Sequence, residues 1–267
     1  MAGTRLIALA LAVAGPVVAA SALVAPAPLY AQADQAAHKR ACDELALVVA
    51  PDGIVPIQIE SLLAATVQQM AEDPDIKFVE SAYPGTIQAA VDGIRPLMLK
   101  AAYRFMPRYR ADLSQLYQDN LTTAEALEAA DFFRTPEMQA FMLSANRNVR
   151  FERSTSALLA ERDASDADVR ADLRSAAVRT ADETTPAQRR MLADFMASPL
   201  GIKLAALNSQ KAAIGTKWFN HSDPELEREI ELATVDAIIE HIAKTDPETA
   251  KAMRKELEAE DAQSKGS

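Results

Sequence analysis

Residues 122–136 read TTAEALEAADFFRTP, and residues 185–199 read TPAQRRMLADFMASP. Aligned on their first threonines, the two stretches share Thr122/Thr185, Ala124/Ala187, Ala130/Ala193, Asp131/Asp194, Phe132/Phe195 and Pro136/Pro199. Glu125 matches Gln188, and Thr135 matches Ser198. Each stretch spells the same unit. A threonine accepts an orphan backbone N–H at a helix start, and Glu or Gln three residues on can close a capping box. A Phe sits near the end of that helix, and a Ser/Thr-Pro pair then starts the next one, because proline at the first helical position loses no hydrogen bond. The unit is a helix–turn–helix hairpin used twice. Duplication and a shared helix grammar without duplication both account for the echo.

The same punctuation extends outward. Asp73-Pro74, Thr135-Pro136, Thr185-Pro186, Ser198-Pro199, Asp223-Pro224 and Asp246-Pro247 each join a cap residue to proline. Glu137, Glu225 and Glu248 follow three of them and place negative charge at the positive end of a helix. Apolar residues recur at the helical period in Ile59, Leu62, Leu63, Thr66, Val67 and Met70, and again in Met98, Ala102, Phe105, Tyr109, Leu113 and Leu116. Met138, Phe141, Met142, Ala145 and Val149 repeat the pattern. Near the C-terminus Ile230, Thr234, Ala237 and His241 form one stripe and Leu232, Val235, Ile239 and Ile242 a second, which predicts a largely buried helix. Pro51-Asp52-Gly53 and Pro84-Gly85 read as loops, whereas Pro96 and Pro107 are expected to kink or split a helix. No segment alternates over a strand's length. The fold class is all-α, an array or bundle of antiparallel helical hairpins, with two similar halves if the echo is a duplication.

Composition agrees. The 267 residues include 54 alanines, about 20% of the chain, and only 8 glycines. Alanine is the best helix former, and so few glycines argue against a turn-rich sandwich. Formal charge is −10, with 28 basic and 38 acidic side chains. The single cysteine, Cys42, cannot form an internal disulfide and reads as a small buried apolar residue, the alternative being an intermolecular bridge.

Arg5 precedes an uncharged stretch from Leu6 to Ala33 that ends in Ala31-Gln32-Ala33. A positive start, an apolar run and a small-x-small site describe a signal peptide over residues 1–33, cleaved before Asp34. The rival reading is an uncleaved anchor, opposed by Gly15-Pro16, Pro26 and Pro28 and by the preponderance of alanine over leucine. The expectations are a periplasmic or secreted protein with a single domain over 34–255, no transmembrane segment after cleavage, and a frayed polar tail over 256–267. Cleavage would remove one Arg and leave a net charge of −11.

On Tyr109 and Tyr117, then Thr122 to Leu127, then Phe132-Phe133-Arg134-Thr135-Pro136, the chain resembles the bacterial domain of unknown function 2059. Phe195-Met196-Ala197-Ser198-Pro199-Leu200-Gly201 resembles the family's Ser-Pro-x-Gly corner more closely than the first copy does. The resemblance covers residues 90–145, is weaker over 185–207 and ends by about residue 220. It implies a small exported helical protein and no particular activity, since its motifs are corners without a catalytic group.

Signatures of chemistry are absent: no Gly-rich phosphate loop, Cys-x-x-Cys, His-Glu-x-x-His, Gly-x-Ser-x-Gly or Glu-x-x-His occurs. His38 and Cys42 are four apart, but a zinc site takes three or four ligands. His241 on an apolar stripe reads as a satisfied boundary histidine, and Trp218-Phe219 as a packed corner. Asp163, Asp166, Asp168 and Asp172 read as the solvated face of a helix whose other face carries Val169, Leu173 and Ala176. No cofactor or metal is expected. The local exception to the acidity is Lys100, Arg104 and Arg108, spaced four apart with Arg95 and Arg110 nearby. This basic stripe suits anionic headgroups or the acidic surface of another envelope protein, or else it is a solvated face paired with neighbouring acids. Nucleic acid does not suit an exported acidic chain. The function expected is a non-catalytic envelope protein acting through its surface. The alternatives are a carrier of a small hydrophobic ligand, with Met138, Phe141 and Met142 lining a cavity, and an enzyme with an unrecognised carboxylate site.

Overall fold

A computed structural model describes residues 29–160 and 162–264, with no strand among them. In chain order the helices are α1 (Leu29–Val49), α2 (Val55–Met70), α3 (Pro74–Ala82), α4 (Thr86–Asn120), α5 (Thr123–Arg134), α6 (Pro136–Asn148) and α7 (Glu152–Leu159). They continue as α8 (Asp166–Glu183), α9 (Pro186–Ala197), α10 (Pro199–Ala206), α11 (Asn208–Phe219), α12 (Pro224–Ala243) and α13 (Pro247–Ser264). Every one of the six cap–proline pairs starts a helix. Pro51-Asp52-Gly53 tightens into a 3₁₀ turn at Asp52–Ile54. Residues 1–28 of the expected leader lie outside the described residues. The expected cleavage bond falls within α1, and the first buried residue among its described side chains is Ala41.

The central element is α4, packed against α12, α1, α2 and α11. The residues of its predicted stripe, Met98, Ala102, Phe105, Tyr109, Leu113 and Leu116, are all buried. Pro96 and Pro107 do not split it. Both are exposed, so the carbonyls they leave unpaired, at Asp92 and Tyr103, lie on the watered side. A helix-interior proline costs about 3 kcal/mol, and each fully buried large side chain returns about 1.5–3 kcal/mol. The apolar face outweighs the two breaks. Gly93 lets α12 approach closely, since a Cβ there would lie 2.7 Å from the Ala237 methyl and 3.1 Å from the Ala233 carbonyl oxygen. Residues 34–70 include a stretch long and apolar enough by composition to cross a membrane; Leu45, Val55, Ile59, Leu62 and Leu63 within it are core residues.

The echoed cap-and-corner unit is repeated in atoms. Thr122 with Glu125 and Thr185 with Gln188 each close a capping box. At the two corners Thr135 Oγ1 donates to the Phe132 carbonyl at 2.8 Å and Ser198 Oγ to the Phe195 carbonyl at 2.7 Å. The hydroxyls then accept from Met138 and Gly201 N–H at 3.4 and 3.0 Å. The second corner is tighter: a Cβ on Gly201 would lie 1.9 Å from the Phe195 carbonyl oxygen. The matched residues Phe132 and Phe195 stack on one another, centroids 3.7 Å apart and planes 4° from parallel. Lys203 of α10 reaches back to Glu125 of α5 at 2.8 Å.

Several expectations are corrected. Asp172 is not on a solvated face but buried in line with Val169, Ala176 and Thr180. It accepts from Arg153 N–H and Ser154 N–H at 3.0 Å each and from Ser154 Oγ at 2.7 Å. This carboxylate caps α7, whose own start at Phe151 (φ 40°) supplies no side-chain cap. Helix α12 is buried along Leu226, Ile230, Ile239 and Ile242; of its second stripe Ile239 and Ile242 are buried and Val235 packs beside them, whereas Leu232 is exposed. Where a frayed tail is expected from Glu256, α13 is helical to Ser264, as its run of Ala, Glu and Gln favours. Ile239, Ile242 and Ala250 form a small second core with Tyr83, Met253 and Leu257 around it. Cys42, by contrast, is fully buried as the small-apolar reading expects and not set for an intermolecular bridge; burial, with Asp43 adding, pushes its thiol up to about 11.

Candidate ligand-binding cleft

Helices α6, α8, α9 and α11 surround a cleft of about 900 Å³, within the ~300–1,000 Å³ typical of small-molecule sites. Its wall on α8 is the stripe Arg170, Leu173, Ala177, Ala181 and Thr184, spaced by three and four and so on one helix face. Ala145 of α6 and Ala212 of α11 face the same space, with Phe141, Val149 and Leu192 as its larger apolar members. The space exists because small side chains meet where helices would otherwise interlock. Polar clamps beside it fix the α6–α8 separation. Arg179 donates to the Asn148 carbonyl at 2.7 and 3.1 Å, and Glu183 accepts from Asn148 Nδ2 at 3.1 Å and Ser144 Oγ at 2.5 Å.

Most polar members of the lining are bound to their own framework. Thr180 Oγ1 donates to the Ala176 carbonyl at 2.8 Å and Thr184 Oγ1 to the Thr180 carbonyl at 2.6 Å, so their methyl groups are what remains to offer. Asn146 Nδ2 donates to the Met142 carbonyl at 2.8 Å, while its oxygen accepts from Gln58 at 2.9 Å. Two guanidiniums complete the lining. Arg170 is pinned by the Asp166 carboxylate at 3.1 Å and the Asp166 carbonyl at 3.2 Å. Arg189 is anchored through Nε to the Thr184 carbonyl at 3.1 Å. Behind Asn208, Lys211 Nζ lies 3.4 Å from its side-chain oxygen and 6.0 Å from the Tyr117 ring, and burial pushes that amine down to about 8. No carboxylate, histidine or cysteine lies among the described lining residues.

The predicted basic stripe is elsewhere and largely committed. Lys100 pairs with Glu229 at 3.6 Å, and Arg104 pairs with Asp223 and sits 5.3 Å over the Phe105 ring. Arg108 is exposed and, after burial itself, is the leading cause that lowers the pKa of His221. Arg95 binds Glu60 at 2.7 Å, and Arg110 binds Asp52 at 2.5 Å. These cations tie α4 to α2, to the turn before it and to α12, as the paired-face reading expects. Of the three residues expected to line a cavity, Phe141 does, whereas Met138 is buried in packing and Met142 is not in the lining.

His38 is spoken for, its two ring nitrogens lying 3.1 Å from the Gln118 carbonyl and 3.3 Å from Thr123 Oγ1. His241 Nε2 meets the Pro84 carbonyl at 2.9 Å. Trp218 and Phe219 are buried, and the Trp218 indole N–H donates to Asp112 at 2.7 Å. The cleft's sequence signal is the alanine and threonine stripe of α8, hidden beneath the acidic residues that dominate its first turns.

Comparison with protein-family models, curated proteins and solved structures finds no match. The site is therefore read from its own residues.

Proposed function

We propose that this chain is an exported, non-catalytic binding protein of the bacterial cell envelope that holds a small apolar ligand in the cleft between α6, α8, α9 and α11. The observation that carries this reading is the cleft itself, about 900 Å³ and walled mainly by Ala, Leu, Phe and Val side chains. Apolar surface held open to water is costly at about 25 cal/mol per Å², and a bound apolar ligand recovers that cost. The carrier reading gains over action through the basic stripe, because Lys100 and Arg104 are engaged by acids of the same chain. Export rests on the leader-like residues 1–33 and on the resemblance to the domain of unknown function 2059. A lining without carboxylate, His or Cys side chains suits binding better than acid–base chemistry.

The test is a fluorescence titration with N-phenyl-1-naphthylamine, a neutral probe that brightens in apolar surroundings. Ala177 and Ala181 line the cleft yet are exposed, so enlarging them narrows the space without overpacking the core. The Ala177→Leu, Ala181→Leu double variant is expected to weaken binding by about tenfold, the worth of one well-placed apolar group, with an unchanged melting temperature. Equal binding by both proteins would refute the cleft. Export is checked separately by sequencing the N-terminus of protein recovered from the cell envelope, where Asp34 is the first residue expected and Met1 would mean a retained leader.

A further inference from the structure

We infer that the cleft's ligand is an amphiphile with one anionic headgroup, a carboxylate or a phosphate, gripped by Arg189 at the rim while its apolar tail lies along α8. The inference rests on the binding reading above and adds the class of ligand. Its first support is charge. The chain carries 38 acidic side chains and a net charge of −10, yet the described lining of its large apolar cleft has two arginines and no acid. An apolar ligand without charge needs no such exclusion; an anionic one does, since a carboxylate in the lining would repel it.

The second support is how the two arginines are held. Arg170 is occupied by Asp166 at 3.1 Å and contributes field more than contact. Arg189 has its Nε tied to the Thr184 carbonyl, and no carboxylate pairs with it among the described residues. That anchor orders the side chain in advance. Guanidinium stays charged at any physiological pH and matches carboxylate and phosphate oxygens in a two-pronged grip. A low-dielectric apolar wall beside it strengthens the attraction relative to open water. The third support concerns the tail. The hydroxyls of Thr180 and Thr184 are turned onto their own backbone, so the α8 wall offers no hydrogen-bonding ladder to a polar chain such as a peptide or a glycan. Head and tail requirements together describe an amphiphile.

The experiment displaces N-phenyl-1-naphthylamine from the full chain with four probes of one tail length: decanoate, decyl phosphate, 1-decanol and decylammonium. The anionic probes are expected to compete about two- to fivefold more tightly than decanol, the effect of one partly exposed ion pair, with decylammonium the weakest. Arg189→Gln is expected to bring the anionic probes to decanol's level, and a circular-dichroism melt matching that of the unaltered protein shows that the variant is folded. A preference between decanoate and decyl phosphate distinguishes an acyl carboxylate from a phosphorylated lipid. If decanol matches the anionic probes in the unaltered protein, the headgroup inference falls and the apolar cleft stands. If Arg189→Gln keeps the anionic preference, the assignment to Arg189 is overturned. If none of the probes displaces the dye, both the inference and the cleft reading fail.

Discussion

Glu125 does two jobs with one carboxylate. It closes the capping box at Thr122 and receives the Lys203 ammonium at 2.8 Å, which joins the two echoed units. The Lys203 hydrogen bond, followed by that from the Thr122 backbone, holds its pKa down at about 2, below the ordinary 4.5. A depressed carboxylate stabilises the fold fully above its unfolded pKa and loses that contribution as pH falls through the folded one. The window is therefore pH 4.5 down to about 2. Glu125→Gln separates the two jobs, because Gln188 shows that glutamine closes the same box in the second copy. The pair is partly exposed, so the variant is expected to lose only about 0.5–1 kcal/mol at pH 7. That gap should shrink toward zero as urea unfolding is repeated at falling pH across the window. A gap independent of pH would place the effect in the cap.

Among the elements, α7 depends most on a neighbour. Its start is a left-handed Phe151 with no cap of its own, and the Asp172 carboxylate of α8 takes the Arg153 and Ser154 N–H groups instead. Hydrogen bonds to a buried charge are worth more than neutral ones, and removing the acceptor strands two amides away from water. Asp172→Ala is expected to cost about 3 kcal/mol in chemical denaturation, with Asp172→Asn retaining part of that. A cost under about 1 kcal/mol would mean that water replaces the carboxylate. Helix starts were legible in the residues because a cap and a proline act within four positions of one another. Asp172 was not, because its partners lie 18 and 19 positions away and its neighbours Asp163, Asp166 and Asp168 suggested solvent.

Across the whole molecule, stability is uneven. The main core gathers around α4, while α3 has no buried side chain and α13 contributes Ala250 to a small second core. Local opening free energy follows buried apolar contact. Amides of α4 between Met98 and Leu116 are expected to exchange slowest with deuterium, and those of α3 and of α13 beyond Met253 fastest. Equal protection of α13 and α4 would show that the two cores unfold as one. The cleft lies outside the second core, so a bound ligand should raise protection in α6, α8, α9 and α11 and leave α13 unchanged.

Short-range physics made the all-helical class, the six proline-marked helix starts and the hairpin echo readable from the residues alone, because each depends on groups a few positions apart. The burial of one face of α4 was readable too, since its period belongs to that helix. Which faces found partners was decided in three dimensions. The second stripe of α12 found α13 at Ile239 and Ile242 but no cover at Leu232, the basic stripe was tied to acids 119 and 129 positions away at Asp223 and Glu229, and Phe132 met its counterpart Phe195. The cleft was decided there as well. Alanines on three helices leave a space only when packing brings their small faces together, and no local pattern encodes that meeting.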